Sequence, residues 1–446
     1  MDLISTNDAA QLAYRPVELL QHLIRFDTTN PPGNEAEGIH FIEGLLAEAD
    51  MPITLLGRSP ERPNLITRLN GQGQAPPVLL YGHMDVVTTV GQDWQHPPFA
   101  GKISEGYLWG RGALDMKGGL AMMVAALLRA RFEDLPVPGD IILAVVSDEE
   151  NGGDEGAKFL VEQHAEQFEG IRYALGEFGG FSIMFGAERF YPIMVAEKQL
   201  CAMKATVHGP GGHGSMPLRG GAMSRLSSLL YRLEKRRMPV HITPVVQRMF
   251  EMVASYQASP AEMVFHLLLN PALTDRMLGM FGERTRAFVP LFHNTVTPTI
   301  VQGGDKINVI PSEIELGLDG RLLPGFTPDD MLAELRAITG KHVELEVVRY
   351  DPGPPEPNWG QFDVLAGILR EADPEGIPIP LLLSGVTDGR FFAQLGIQTY
   401  GFLPMRLPPD FNFSATIHAA DERIPLDALE FGTQAILKAI QRMGLN

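Results

Sequence analysis

Short apolar runs alternate with stretches of helical periodicity through the first 197 residues. Residues 17–24 carry helical spacing, and Thr28-Thr29-Asn30-Pro31-Pro32-Gly33-Asn34 breaks it. Residues 78–81 form an apolar run. Residues 120–130 return to helical spacing through Met122, Met123, Ala126 and Leu127. Residues 141–146 are rich in β-branched side chains, and another short strand starts near Ile171. Such alternation predicts an α/β domain with a mixed, mostly parallel sheet flanked by helices. From 198 to 350 the order changes. A strand at 200–207 and a helix at 222–236 precede strands near 299–301 and 313–318, a helix at 328–338 and a strand at 342–348. That β-α-β-β-α-β order predicts a ferredoxin-like α+β unit. Residues 240–295 interrupt it with extra helices, where Val245, Met249, Met252, Val253 and Tyr256 form an apolar stripe. Packing within the inserted domain is the first expectation for that stripe; lining a pocket for a bulky apolar group is the second. Pro352, Pro354, Pro355 and Pro357 mark a linker, and a helix at 426–443 ends the chain. The domain boundaries expected are 1–197 with 351–446, and an insertion at 198–350.

Composition narrows the class. A chain of 446 residues is long enough for two domains with sizeable cores. The formal charge of −18 argues against general nucleic-acid binding, which needs a cationic excess over the phosphates. Cys201 is the only cysteine, which excludes internal disulfides and suits a reducing compartment. No apolar stretch reaches the roughly 18 residues of a membrane span. Residues 1–5 carry neither a basic start nor an apolar signal core, so a cytoplasmic location is expected.

Candidate chemistry begins at Gly82-His83-Met84-Asp85, directly after the apolar run. A metal-binding histidine usually donates its second ring N–H to a carboxylate or carbonyl, and Asp85 is two residues on, where an extended chain points to the same side. Asp115 lies in the glycine-rich segment Gly110 to Gly119, Glu149 and Glu150 follow the 141–146 strand, and Glu177 follows Gly176. These candidates recur about every thirty residues, the length of one strand–helix–strand unit. They would gather at the C-terminal strand edge, where open α/β sheets bind ligands. Neighbouring residues on an extended chain point different ways, so Glu149 is assigned as general base and Glu150 as metal ligand. His418 supplies a second imidazole just before the last helix. Two His and three carboxylates with Asp115 shared would serve two metals. Mixed nitrogen and oxygen ligation suits zinc, with Co²⁺ or Mn²⁺ as alternatives.

These segments resemble the dinuclear zinc metallohydrolases that include aminoacylase, acetylornithine deacetylase, succinyl-diaminopimelate desuccinylase, glutamate carboxypeptidase and the carnosine-type dipeptidases. The resemblance rests on Gly82 to Val87, Gly110 to Gly119, Asp148-Glu149-Glu150, Glu177, Gly211-Gly212-His213-Gly214-Ser215, Asn308-Val309-Ile310-Pro311 and His418, in family order. It implies His83 and His418 on separate zincs, Asp115 bridging, Glu150 and Glu177 as terminal ligands, Glu149 as acid/base and Asp85 as the His83 orienter. It implies that the inserted domain is a lid, through which a homodimer forms, and that His213 stabilises the oxyanion. Two departures stand out. Phe178 occupies a position where many relatives carry Gly, and Gly320 in Asp319-Gly320-Arg321 replaces a larger residue.

The expected reaction is hydrolysis of an amide bond in a short peptide or N-acyl amino acid. A water bridging two zincs about 3.5–4 Å apart would yield its proton to Glu149 and attack the carbonyl. Arg321 could hold a substrate carboxylate through its planar fork, and Asn308 could hydrogen-bond the substrate backbone. Asp388 and Arg390 read as a structural ion pair near the site. A metal-binding regulatory protein without turnover is the alternative, disfavoured because a binding module needs no base beside its ligands. Gly209 to Gly214 imitates a dinucleotide loop, but Glu234 falls inside a predicted helix. Asp148 to Gly152 imitates a calcium loop, but Phe159 occupies the position of the bidentate Glu.

Overall fold

The computed structural model describes residues 8–354 and 356–445. The N-terminal stretch 1–5 and Pro355 of the linker lie outside them. The chain divides into two compact units. The first comprises Met1–Val195, Asn358–Leu381 and Thr387–Asn446, and the second Ala196–Pro357 with Leu382–Val386. The crossings expected at 197 and 350 thus fall at 195 and 357. The return of 382–386 to the second unit leaves no mark in the apolar pattern.

The first unit is built on a mixed, partly parallel sheet. Its strands run in the order Ile53–Leu56, Asn64–Leu69, Ile141–Val146, Val78–His83, Tyr173–Gly176, Gln398–Gly401, Glu188–Glu197, Ile377–Leu383. The four strands from Ile141–Val146 to Gln398–Gly401 pair in parallel. Antiparallel pairs flank this block on both sides. Val78–His83 and Ile141–Val146 are buried at every position, which explains their unbroken apolar runs. The helix Lys117–Phe132 is buried all round from Lys117 to Ala130, against Pro16–Arg25 and Leu426–Ile440. A second, three-stranded antiparallel sheet joins Lys102–Ser104, Tyr107–Trp109 and Arg423–Pro425.

The second unit carries a four-stranded antiparallel sheet in the order Thr295–Gln302, Glu313–Leu322, Gln199–His208, Val343–Asp351. Gln199–His208 and Glu313–Leu322 are central, and helices Ala222–Lys235 and Pro328–Thr339 follow them in sequence. Alternate residues Cys201, Met203, Ala205 and Val207 point into a core with Leu226, Leu229, Met331 and Leu335. Thr243 caps the insertion's first helix, Pro244–Ser255, by accepting from the Val246 N–H, with Pro244 at the first turn. Val245, Met249 and Val253 of the stripe are buried, and Tyr256 is exposed. The insertion has its own aromatic centre, in which Phe250 meets Phe265, Phe288 and Phe292 at 5.7, 5.4 and 5.0 Å between ring centres. Among the described residues, no helix is long and apolar enough to cross a membrane.

Candidate metal centre and active site

Three side-by-side strands of the parallel block deliver most of the site. His83 ends Val78–His83, in register with Val146 of the neighbouring strand. Glu149 and Glu150 follow Val146 after Ser147-Asp148, and Glu177 directly follows Tyr173–Gly176. Asp115 departs from the expectation of a main-sheet strand end. It follows Tyr107–Trp109 of the small antiparallel sheet. That strand pairs with Arg423–Pro425, Trp109 opposite Arg423, so the loops carrying Asp115 and His418 enter together. Asp115 does not cap the next helix, whose N-cap is Met116 with no side-chain capping bond.

The five expected ligands converge. Asp115 Oδ1 lies 3.1 Å from His83 Nε2, and Asp115 Oδ2 lies 3.1 Å from His418 Nε2. His83 Nε2 is 3.6 Å from Glu177 Oε2, and His418 Nε2 is 3.4 Å from Glu150 Oε1. Ligand atoms of His83, Asp115 and Glu150, and of His83, Glu149 and Glu177, lie within 4.8 Å of one another. Glu150 Oε1 is buried with no hydrogen-bond partner among the described residues. Such a donor set fits two divalent cations better than it fits itself, because buried carboxylates at this spacing repel.

Titration directions follow from that crowding. Burial pushes Glu177 up to about 8, only partly opposed by its bond to His83. Burial also raises Glu149 well above the usual carboxylate range, with added repulsion from Glu177, and raises Glu150. Asp115 goes the other way, because His418 and His83 outweigh its burial. His418 rises to about 10 through Asp115 and Glu150. His83 also rises, its carboxylate partners overcoming burial.

Supporting contacts refine the expected roles. His83 Nδ1 meets the main-chain carbonyl of Asp85 at 2.9 Å, whereas the nearer Asp85 carboxylate oxygen is 3.5 Å away. The main chain at Asp85 thus makes the closer orienting contact. The Asp85 carboxylate accepts the backbone N–H of Glu149 at 3.1 Å and of Glu150 at 3.0 Å. Glu422, absent from the candidates read in the sequence, is fully buried. It accepts from Arg111 Nη1 (2.6 Å) and from the N–H groups of Gly112 (3.1 Å), Leu114 (2.8 Å) and Asp115 (3.1 Å). The signal available was a buried-charge pattern: an Asp-Glu pair three residues after His418, and an Arg beside the Asp115 glycines. Arg390 donates to the carbonyls of Thr387 (2.7 Å) and Gly152 (3.3 Å) and stands 4.0 Å from Glu149 Oε1. Burial raises Asp388 to about 7 against the pull of Arg390.

The remaining candidates belong to the second unit. His213 is exposed in a two-stranded ribbon opposite Val309, its Nδ1 2.7 Å from Ser215 Oγ. The Gly214 N–H donates to the Asn308 carbonyl at 2.8 Å, which brings those two candidates together. Arg321 lies apart from them on Glu313–Leu322, with its fork on Asp319 at 2.6 and 3.2 Å. A Cβ on Gly320 would stand 2.2 Å from the Cys201 carbonyl oxygen, so this sheet leaves no room for the larger residue of relatives. In the first unit, Phe178 adopts φ +61°, a left-handed conformation that favours Gly. Its ring is 6.2 Å from that of Phe413, which stacks on Phe181 at 3.8 Å.

Residues 79–442 match the model of Peptidase family M20/M25/M40. The chain belongs to this family. As an M20/M25/M40 member it is a hydrolase of the peptidase and amidohydrolase kind. It is 28% identical over 390 residues to N-fatty-acyl-amino acid synthase/hydrolase PM20D1 of Homo sapiens, covering 83% of this chain and 75% of that protein. It is 23% identical over 427 residues to Aminoacylase-1 of Sus scrofa, covering 92% and 90%. The M20 family metallo-carboxypeptidase Sso-CP2 from Sulfolobus solfataricus shares the fold, with a TM-score of 0.68 at 14% identity over 96% of this chain and 98% of that one.

Proposed function

We propose that this M20/M25/M40 protein is a dizinc hydrolase of N-acyl amino acids or short peptides, with Glu149 as its general base. One observation carries the reading: the two oxygens of Asp115 each face a different histidine at 3.1 Å. Asp115 would bridge, His83 and Glu177 would complete one cation's ligands, and His418 and Glu150 the other's. Bound there, two divalent cations would supply Lewis acidity and make water acidic enough to react near neutral pH. The chain's own residues do the rest. Glu149, half-buried and raised in pKa, takes a proton from the attacking water and returns it to the leaving amine. Asp85 fixes the backbone on either side of that carboxylate. His213 is assigned to the oxyanion, Arg321 to a substrate carboxylate and Asn308 to the substrate backbone, on residue type and resemblance.

Within this class an N-acyl amino acid with an apolar acyl group is favoured over a polar dipeptide. The aromatic group of Phe178, Phe181 and Phe413 adjoins Glu177, and the two curated relatives above are named for N-acyl-amino-acid chemistry. A homodimer through the second unit is part of the proposal, supported by exposed Met216, Leu218, Met223, Tyr231, Ile300 and Val301 there. A reducing, cytoplasmic setting is also part of it, supported by the single buried thiol of Cys201.

The test pairs metal analysis with Glu149→Gln on a panel of N-acyl amino acids and dipeptides. Two zinc ions per chain are expected, with a loss in kcat of about 10²–10⁴ for the variant. Hydrolysis undiminished in Glu149→Gln would remove the general base. Metal binding without turnover of any panel member would favour a regulatory protein.

A further inference from the structure

A buried polar chain leads from the N-terminal region to the backbone of Glu149. Arg62 donates Nε to Glu35 Oε2 at 3.1 Å and Nη2 to Glu35 Oε1 at 2.7 Å. The same Nη2 lies 2.9 Å from Asp148 Oδ1. Asn30 Nδ2 donates to that Asp148 oxygen at 3.0 Å and to Asp85 Oδ2 at 2.8 Å. Asp85 then accepts the N–H groups of Glu149 and Glu150. Asp148 is itself left-handed, at φ +70°, and its second oxygen accepts the Glu155 N–H at 3.0 Å. Glu35, Asp148, Asn30 and Asp85 are all buried. Asn30, Glu35 and Arg62 precede the stretch that matches the family model.

Two buried carboxylates, Glu35 and Asp148, share one guanidinium, and Asn30 links Asp148 to a third, Asp85. Only a planar fork can grip Glu35 with two bonds and still reach a second carboxylate. A non-glycine residue with positive φ persists where its surroundings over-determine it. Asp148 immediately precedes Glu149, so its backbone sets the direction in which the next carboxylate leaves the chain. Gly33 packs on the guanidinium so closely that a Cβ would lie 2.3 Å from Arg62 Cζ.

We propose that Arg62 is a positioning residue for Glu149, acting through Asp148. The inference rests on Glu149 being the base. With Arg62 weakened, Asp148 relaxes from its left-handed conformation and the Glu149 carboxylate swings off the reacting water. Substrate contacts and metal ligands stay in place.

The experiment uses the full chain loaded with zinc and compares Arg62→Lys and Gly33→Ala with the parent, each also in a Glu149→Gln background. Lysine keeps the charge and loses the fork; alanine keeps every charge and displaces the guanidinium, so one remains informative where the other fails to fold. The expected result is a fall in kcat of about tenfold or more, with KM little changed and two metals per chain retained. In the Glu149→Gln background the same substitutions leave the residual rate unchanged, because the group they act through is gone. An undiminished kcat, or an equal loss in both backgrounds, overturns the inference. Full hydrolysis by Glu149→Gln alone overturns the base assignment instead, so the two failures are distinct.

Discussion

Replacing Glu422 by Gln should loosen the centre without touching a ligand. The Glu422 carboxylate is fully buried and receives four donors, one from Arg111 and three from the backbone of the Asp115 loop. Gln keeps the shape, but its amide NH2 turns a donor toward two of those donors and leaves the buried Arg111 charge without its carboxylate. Breaking one partner of a buried pair costs about 3–5 kcal/mol. Arg111 keeps its bond to Gln92 Oε1 at 2.8 Å and its place over Trp94, which favours the lower end of that range. At about 2–4 °C per kcal/mol, the first unit should lose on the order of 10 °C in unfolding midpoint. Because Asp115 N–H is one of the four donors, the shared carboxylate loses its fixed direction. Loss of such a supporting bond typically weakens metal binding about 10–100-fold. Calorimetric unfolding and competition with a chelator read the two effects separately. A Glu422→Gln protein with the parent's midpoint and metal affinity would show that the loop is held by other means.

Three further outcomes follow from the same geometry. Metal binding at pH 7 should release protons, since Glu177 at about 8 and His418 at about 10 both hold one in the cation-free cluster; affinity therefore rises with pH, and calorimetry in buffers of different ionisation enthalpy would contradict this by showing none released. Arg442 and Lys438 hold Glu371 down to about 2, so its contribution is present above its ordinary value and lost as pH falls toward 2; these half-exposed groups contribute only about 0.5 kcal/mol, so Glu371→Gln should be slightly less stable than the parent at pH 7 and equal to it at pH 2, and a gap that widens in acid would refute the sign. Phe178→Gly should relieve about 1 kcal/mol of left-handed strain while losing the contact with Phe413, leaving stability nearly unchanged; KM for a long-chain N-acyl substrate should rise about tenfold relative to an acetyl one, and equal changes for both would remove Phe178 from the acyl side of the site.

Much of the fold was legible because burial imposes period and composition locally. The strands Val78–His83 and Ile141–Val146 and the helix Lys117–Phe132 announce themselves as apolar segments, and the order of elements from Gln199 to Val343 specifies the second unit's topology. His83, Glu149, Glu150 and Glu177 could be named because each lies at or within a few residues of the end of a strand whose identity the sequence already determines. The identity of the donors, and hence the chemistry open to the site, is a property of the sequence alone. Their arrangement is not. Asp115 and His418 meet because Tyr107–Trp109 pairs with Arg423–Pro425 across some three hundred residues of chain, and pairing at that range leaves no periodic trace. The same holds for Glu422 gripping the Asp115 loop and for Arg62 reaching Asp148: a buried charge is recognised by its partners, and only the folded chain chooses them.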